Sequence, residues 1–286
     1  MRIGPYQLHA IDTGTFALDG GAMFGVVPRT LWEKSLPPDA QNRIPMAARA
    51  LLLTGGGRTV LIDTGNGRKL GDKLEAIYKL DNSRADLLSS LARHGVRPGD
   101  VTDVILTHLH FDHAGGGTTY DGGEAVPTFP RARYHVQREH WLAALAPTER
   151  DRASFFSENY LPLERAGQVD FTEGEGEILP GISCRVVHGH TTALQCPLIS
   201  DGTSTLLFCA DLLPTSAHVP LAWIMAYDLR PLVTLEEKRR ILTEAADGGW
   251  TLFFEHDPVL AAARLARNDR GGIVLGERVE GAADHG

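Results

Sequence analysis

Residues 107–116 read Thr-His-Leu-His-Phe-Asp-His-Ala-Gly-Gly and follow directly on the apolar run Val104-Ile105-Leu106. Between His108 and His113, four side chains can bind a metal ion: His108, His110, Asp112 and His113. His108 and His110 are two apart on an extended strand exit, so their imidazoles project to one side, whereas Asp112 and His113 lie past the strand end, where the chain must turn. The small residues Ala114-Gly115-Gly116-Gly117 allow close backbone approach there. Open α/β layers place their ligands at the carboxyl end of short apolar strands, so this run calls for a layered α/β domain.

One cluster of this size does not fill two coordination spheres, so further ligands are expected at other strand ends on the same edge. Three positions meet that expectation: His190 in Val187-His188-Gly189-His190-Thr191, Asp211 in Phe208-Cys209-Ala210-Asp211, and His256 in Phe253-Phe254-Glu255-His256-Asp257. Each follows an apolar strand-like stretch. His188 and His190 share a strand face, so either could ligate.

Apolar patterning supplies the rest of the framework. Residues 47–53 and 58–63, separated by Thr54-Gly55-Gly56-Gly57, predict a β-hairpin. Leu87, Leu88 and Leu91 recur at helical spacing before Gly95, predicting a helix capped by Asn82 or Ser83 that runs to about residue 93. Residues 138–145 and 148–160 also read as helical, and 182–187, 196–200 and 205–210 as strands. A capped helix over 234–246 precedes a strand at 250–254. A single domain over 1–286 is expected. Its N-terminal lead, 1–46, is expected to line the site or make an oligomer contact, and 271–286 to be a loose tail.

Composition narrows the function classes. Of the 286 residues 43% are hydrophobic and 22% charged, which is ordinary globular usage. The formal net charge of -8 offers no basic footprint for a phosphate backbone, so nucleic acid is not an expected partner. Met1 to Gln7 contain no apolar stretch of signal-peptide length, and eighteen apolar residues nowhere run together, so a cytoplasmic protein free of membrane is expected. Cys184, Cys196 and Cys209 lack the C-x-x-C spacing and read as reduced core thiols.

The order of His-x-His-x-Asp-His, a later Gly-His-Thr, a strand-end Asp and a final His resembles the metallo-β-lactamase-fold superfamily over roughly residues 47–256. By that resemblance His108, His110 and His190 would hold one ion, Asp112, His113 and His256 a second, and Asp211 would bridge them. The Gly-His-Thr register favours His190 over His188. Asp63, in an early Asp-Thr-Gly, would support the ligands from behind, with Thr191 beside His190 in the same role. The implied fold is a four-layer αβ/βα sandwich, two mixed sheets flanked by helices. The run at 107–116 and the long lead look like the lactonase and aryl-ester or organophosphate hydrolase branch.

Imidazole and carboxylate donors without thiolate suit two divalent ions, Zn2+ first, with Fe, Mn or Co also compatible. Such a pair lowers the pKa of a shared water towards about 7 and makes hydroxide available, so no side-chain nucleophile is needed. Asp112 and Asp211 are the expected catalytic carboxylates, Asp112 by orienting that water and taking its proton. The expected reaction is cleavage of an ester or lactone of a small, moderately hydrophobic molecule. Alternatives are a phosphotriester hydrolase on the same site, or a mononuclear iron dioxygenase of the persulfide type built on His108, His190 and Asp211. Phe24, Trp223 and Tyr227 are candidate substrate-lining residues, as are His188 and His218, and the same aromatics could serve a homodimer contact. Signal-lactone hydrolases of this fold commonly carry a Tyr soon after the bridging Asp. Leu212-Leu213-Pro214 offers none, leaving His218 or Tyr227 as stand-ins.

Overall fold

The computed structural model describes residues 1–279. The first half supplies β1 (Arg2–Ile3), β2 (Tyr6–Asp19), β3 (Arg43–Gly55), β4 (Arg58–Ile62), β5 (Asp103–Ile105), β6 (Thr118–Asp121), β7 (Glu124–Pro127), β8 (Arg133–Gln137) and β9 (Val169–Thr172). The second half supplies β10 (Gly176–Leu179), β11 (Ile182–Val187), β12 (Leu194–Ser200), β13 (Thr205–Phe208), β14 (Thr251–Phe253), β15 (Ala262–Arg267) and β16 (Ile273–Arg278). One mixed sheet has the order β1-β2-β3-β4-β5-β8-β9 and the other the order β10 to β16, while β6 pairs with β7 alone. Helices α1 (Gly20–Phe24), α2 (Arg29–Trp32), α3 (Asp72–Tyr78), α4 (Leu87–Arg93), α5 (Phe111–Ala114), α6 (Arg138–Leu145), α7 (Leu161–Arg165) and α8 (Pro231–Asp247) lie between them in sequence.

Strand alternation explains the layering. Leu51 and Leu53 of β3 face inward with Leu8, Val60 and Ile105, where they meet Leu206, Phe208 and Leu252 of the second sheet. Ala50 and Leu52 of the same strand face outward, under Leu87 and Leu91 of α4 and Trp141 of α6. A strand covered on both faces must be apolar throughout, which is why β3 reads as a continuous hydrophobic run. On the other side α8 buries Ile241, Leu242 and Ala245 against the second sheet. The two mixed sheets and their helices are those expected.

Several local expectations are corrected. The cap of α4 is Asp86, whose Oδ1 accepts from Leu88 N and Ser89 N, both at 3.0 Å, while Ser83 closes a turn on Asp81. The final helix begins at Pro231, so Thr234 lies inside it and its hydroxyl donates to Asp228 at 2.7 Å. Residues 148–160 are not an α-helix. They hold two 3-10 turns, Arg152–Ser154 and Ser157–Asn159, because Arg150 is drawn out to the Ala226 carbonyl and Phe155 bridges to His110. The lead contains β2, which pairs with β3 along almost its whole length. Of the expected tail, Ile273–Arg278 pair with β15, and 280–286 lie outside the described residues. Cys184, Cys196 and Cys209 are buried free thiols, as expected.

Asp103, at the start of β5, ties three strands at the end of the sheet away from the histidines. It accepts from Arg58 at 2.8 Å, Thr102 at 2.7 Å and His135 at 2.9 Å. Burial alone would raise its pKa, but the bonds to His135, Thr102 and Arg58 outweigh it and hold the carboxyl down at about 2. Its contribution is therefore complete above pH 3.8 and is lost as pH falls through about 2. Asp103→Asn is expected to cost about 2 kcal/mol at neutral pH and to remove that acid-side slope, leaving metal content unchanged. Urea unfolding at several pH values reads both, and an unaltered slope would refute the assignment.

Candidate metal centre

Parallel pairing decides which strand ends meet. β4 and β5 run parallel with Ile62 opposite Ile105, and β13 and β14 run parallel with Phe208 opposite Phe253. Their carboxyl ends open on one edge, and Asp63, His108, Asp211 and His256 leave from them, joined by His190 from the turn after β11. Asp63 and Ala210 are held left-handed there, at φ 56° and 45°, a conformation costing a non-glycine residue roughly 1–2 kcal/mol. The glycines after His113 have a packing cause, since a Cβ on Gly115 or Gly116 would collide with the carbonyls of Asn66 and Thr64.

The expected ligands converge in two groups. In the first are His108, His110, His190 and Asp211; in the second, Asp112, His113 and His256. His110 Nδ1 lies 3.0 Å from His108 Nε2 and 3.2 Å from His190 Nε2, and Asp211 Oδ2 lies 3.1 Å from His190 Nε2. In the second group His113 Nε2 and His256 Nε2 are 3.1 Å apart, with Asp112 Oδ2 at 3.8 and 3.7 Å. Asp211 Oδ1 reaches this group, 3.5 Å from His113 and 3.3 Å from His256. A tetrahedral ion with bonds of about 2.0–2.1 Å needs neighbouring donors roughly 3.3–3.4 Å apart, so these spacings fit. Asp211 Oδ1 is buried without a hydrogen-bond partner, as a polar atom is where a further ligand is wanted.

Outer contacts orient these donors. His113 Nδ1 lies 3.0 Å from both Asp63 Oδ2 and Glu255 Oε2, and Asp63 also accepts from Thr107 N at 2.7 Å. His190 Nδ1 donates to Asp228 Oδ1 at 2.9 Å and His256 Nδ1 to the Ala47 carbonyl at 2.9 Å, presenting each Nε2 to the centre. His140 Nε2 accepts from Leu109 N at 2.8 Å and so holds the motif's own backbone.

The electrostatics match. Burial, helped by neighbouring imidazoles, keeps His108 and His110 well below the usual imidazole value. Burial would also suppress charge on His190, but Asp211 and Asp228 outweigh it and push that residue up to about 10. Asp211 stays ionised against its burial through His113 and His190. His108 and His110 are thus neutral donors as they stand, whereas His190, and His113 and His256, which neighbouring carboxylates also shift upward, would give up a proton to a divalent cation taking its place among them.

A family model for the metallo-beta-lactamase superfamily matches residues 43–266. The chain belongs to that superfamily. A probable metal-dependent hydrolase from Staphylococcus aureus has a solved structure similar to this one, at 28% identity and a TM-score of 0.87 over 98% of this chain and 100% of that one. A dizinc quorum-quenching lactonase in complex with a product has the same fold, at 20% identity and TM-score 0.79 over 98% and 96% of the two chains. An N-acyl homoserine lactonase from Bacillus thuringiensis is 27% identical over 176 residues, 60% of this chain and 62% of that protein. The chain thus spans under two thirds of the length of the curated lactonases it matches.

In this metallo-beta-lactamase domain a cavity of about 230 Å³ opens over the ligands. Leu18, Met23, Met46 and Met225 form an apolar wall, and Tyr78, Arg150 and Tyr227 lie on its more polar side. Leu18, Met23 and Met46 come from the N-terminal lead. Of the expected lining residues Tyr227 is present, and four are not. Phe24 is fully buried, stacked 4.7 Å from His218 and 5.3 Å from Trp32, because it belongs to a core beneath the cavity. His218 is spent on Thr215 at 2.8 Å and the Met23 carbonyl at 2.8 Å. Trp223 packs edge-on to Phe24 and lines a different depression. His188 accepts from Ala193 N at 3.2 Å and stands outside both ligand groups. Thr191 is buried beside His190, but the orienting bond comes from Asp228.

Three contributors were not found from the sequence: His140, Glu255 and Asp228. Glu255 precedes His256 at the end of a buried strand, and an acid in that setting is the signal that could have found it. Asp228 lies in a loop with no local pattern, so only the fold reveals it.

Proposed function

We propose that this protein is a dinuclear metal-dependent hydrolase, holding two zinc ions, that opens a lactone or ester of a small, moderately hydrophobic molecule. The observation that carries the reading is Asp211, which offers one oxygen to each ligand group. A single-ion oxygenase built on His108, His190 and Asp211 would leave Asp112, His113 and His256 without a task. Divalent ions held there supply Lewis acidity and lower the pKa of water.

The chain's own residues supply the remainder. Asp112 lines the cavity with its Oδ2 in the second group, placed to hold the proton that an attacking water gives up. Tyr78 and Tyr227 line the same cavity, and neither phenol is hydrogen-bonded within the described protein. Partial burial, then Tyr78, Asp19 and Asp112, push Tyr227 up to about 12, and like any phenol it keeps its proton at neutral pH and can donate it to a substrate oxygen. This supports Tyr227 as the stand-in for the tyrosine missing after Asp211. The methionine wall suits a flexible apolar substituent. Relatives named N-acyl homoserine lactonases support the lactone reading.

Metal analysis of the purified protein, joined to a panel of lactones, aryl esters, phosphotriesters, thioesters and persulfides, tests it. Two equivalents of zinc with ring-opened product are expected. One equivalent of iron with oxygen consumed on persulfide would overturn the proposal.

A further inference from the structure

Met225, Ala226 and Tyr227, which line the cavity over the ligands, belong to the segment joining β13 to α8. That segment has no strand or α-helix, so contacts with the rest of the chain must fix its path. Its two ends are secured. His218 Nε2 donates to the Met23 carbonyl at 2.8 Å, and Leu229 N and Arg230 N donate to the carbonyls of His190 and Gly189 at 3.1 and 2.8 Å. Between these points Pro220, Leu221, Ala222, Ala226 and Tyr227 are exposed, so the stretch forms an arch with solvent on its outer side.

Lys238 of α8 holds this arch from within. Its Nζ donates to the Pro220 carbonyl at 2.9 Å and to the Trp223 carbonyl at 2.7 Å, the two ends of a turn closed by Trp223 N on the Pro220 carbonyl at 3.0 Å. The side chain is 0% exposed and forms no ion pair among the described residues. Burial brings its pKa down to about 7, against the pull of Asp228 acting through space. An ammonium in that position is costly, and a methionine would fill the same space beside Ile241 and Leu242 without the cost. The two carbonyls are what the charge serves. Thr234, four residues earlier and therefore on the same face of α8, donates to Asp228 Oδ2 at 2.7 Å, so one helix face grips the arch at both ends. Across the cavity Arg150 also donates to the Ala226 carbonyl, but from an exposed position.

We infer that Lys238 is a positioning residue of the substrate cavity, its ammonium fixing the turn at 220–223 and thereby setting Met225 and Tyr227 against the apolar part of a bound substrate. The role in substrate binding presupposes the hydrolase proposed above, whereas the hold on the arch does not.

Lys238→Met in the metal-loaded full chain tests both. The Ala226 amide, which donates to the Ala22 carbonyl at 2.8 Å, is expected to exchange its hydrogen about five-fold faster or more, with metal content unchanged. With γ-decalactone, whose alkyl chain needs the wall, KM is expected to rise about five-fold and kcat to stay within about two-fold. With γ-butyrolactone, which has no chain, KM is expected to move by less than about two-fold. Asp103→Asn, destabilised at the far end of the sheet, should alter neither the exchange nor either KM. Should the methionine variant fail to fold, Lys238→Gln, which keeps N–H donors on a shorter arm, is expected to give the same changes at about half the size or less. If the unaltered enzyme opens neither lactone, the hydrolase reading falls and the exchange rates decide alone. The inference is overturned if Ala226 exchanges no faster in the variant, if both lactones are affected alike, or if Asp103→Asn produces the same changes.

Discussion

Replacing Asp211 by alanine is expected to yield a folded protein that retains neither metal equivalent firmly and turns over its substrate slower by on the order of 10³ or more. Asp211 is the residue with an oxygen in each ligand group, at 3.1 Å from His190 on one side and 3.3 Å from His256 on the other. Its loss removes negative charge from between five imidazoles. Removing His190 instead strips one donor from one group, so one equivalent should survive. Asp211→Asn, equal in shape but neutral, should fall between the two. Metal content after gel filtration, read beside kcat/KM, distinguishes these cases. An Asp211→Ala enzyme with two equivalents and full turnover would refute the dinuclear reading.

Chelation is expected to lower the melting temperature by roughly 10 °C, and zinc to restore it. A ligand that binds only the folded state at a thousand times its dissociation constant stabilises by about 4 kcal/mol, and a domain of this size shifts by roughly 2–4 °C per kcal/mol. The physical source is visible in the site. His108, His110, His113, His190 and His256 are buried with their nitrogens facing one another at 3.0 to 3.2 Å, an arrangement that a cation joins and its absence strains. Magnesium and calcium prefer oxygen donors and should not restore stability. Calorimetry of chelated protein with and without each ion measures this, and identical melting curves would contradict the proposed role of the cluster.

The metal centre was legible because its signal is chemical and local. Six residues deliver four ligands, and His190, Asp211 and His256 each sit at or just past the end of an apolar run, so strand patterning pointed to those positions, although only the Gly-His-Thr register of the family resemblance separated His190 from His188. The cavity walls were not legible in this way. Phe24, Trp223 and His218 have the composition of a substrate pocket, but an aromatic residue serves a core equally well, and here Phe24 stacks between Trp32 and His218 below the cavity. Residues 148–160 carry a helical pattern, yet Arg150 and Phe155 bind the Ala226 carbonyl and the His110 strand exit, and those tertiary contacts override local preference.

By itself the sequence determined an order of strands and helices compatible with the layered fold that the family resemblance implies, the core thiols and the residues able to hold metal, since periodicity and side-chain chemistry are properties of short stretches. Tertiary structure alone decided that Asp228 and Glu255 stand behind the histidines, and that Leu18, Met46 and Tyr78 wall the cavity while Phe24, Trp223 and His218 do not. The physical reason is that parallel pairing of β4 with β5 and of β13 with β14 brings ends together that are far apart in the chain, and no local pattern encodes which turn will lie beside which.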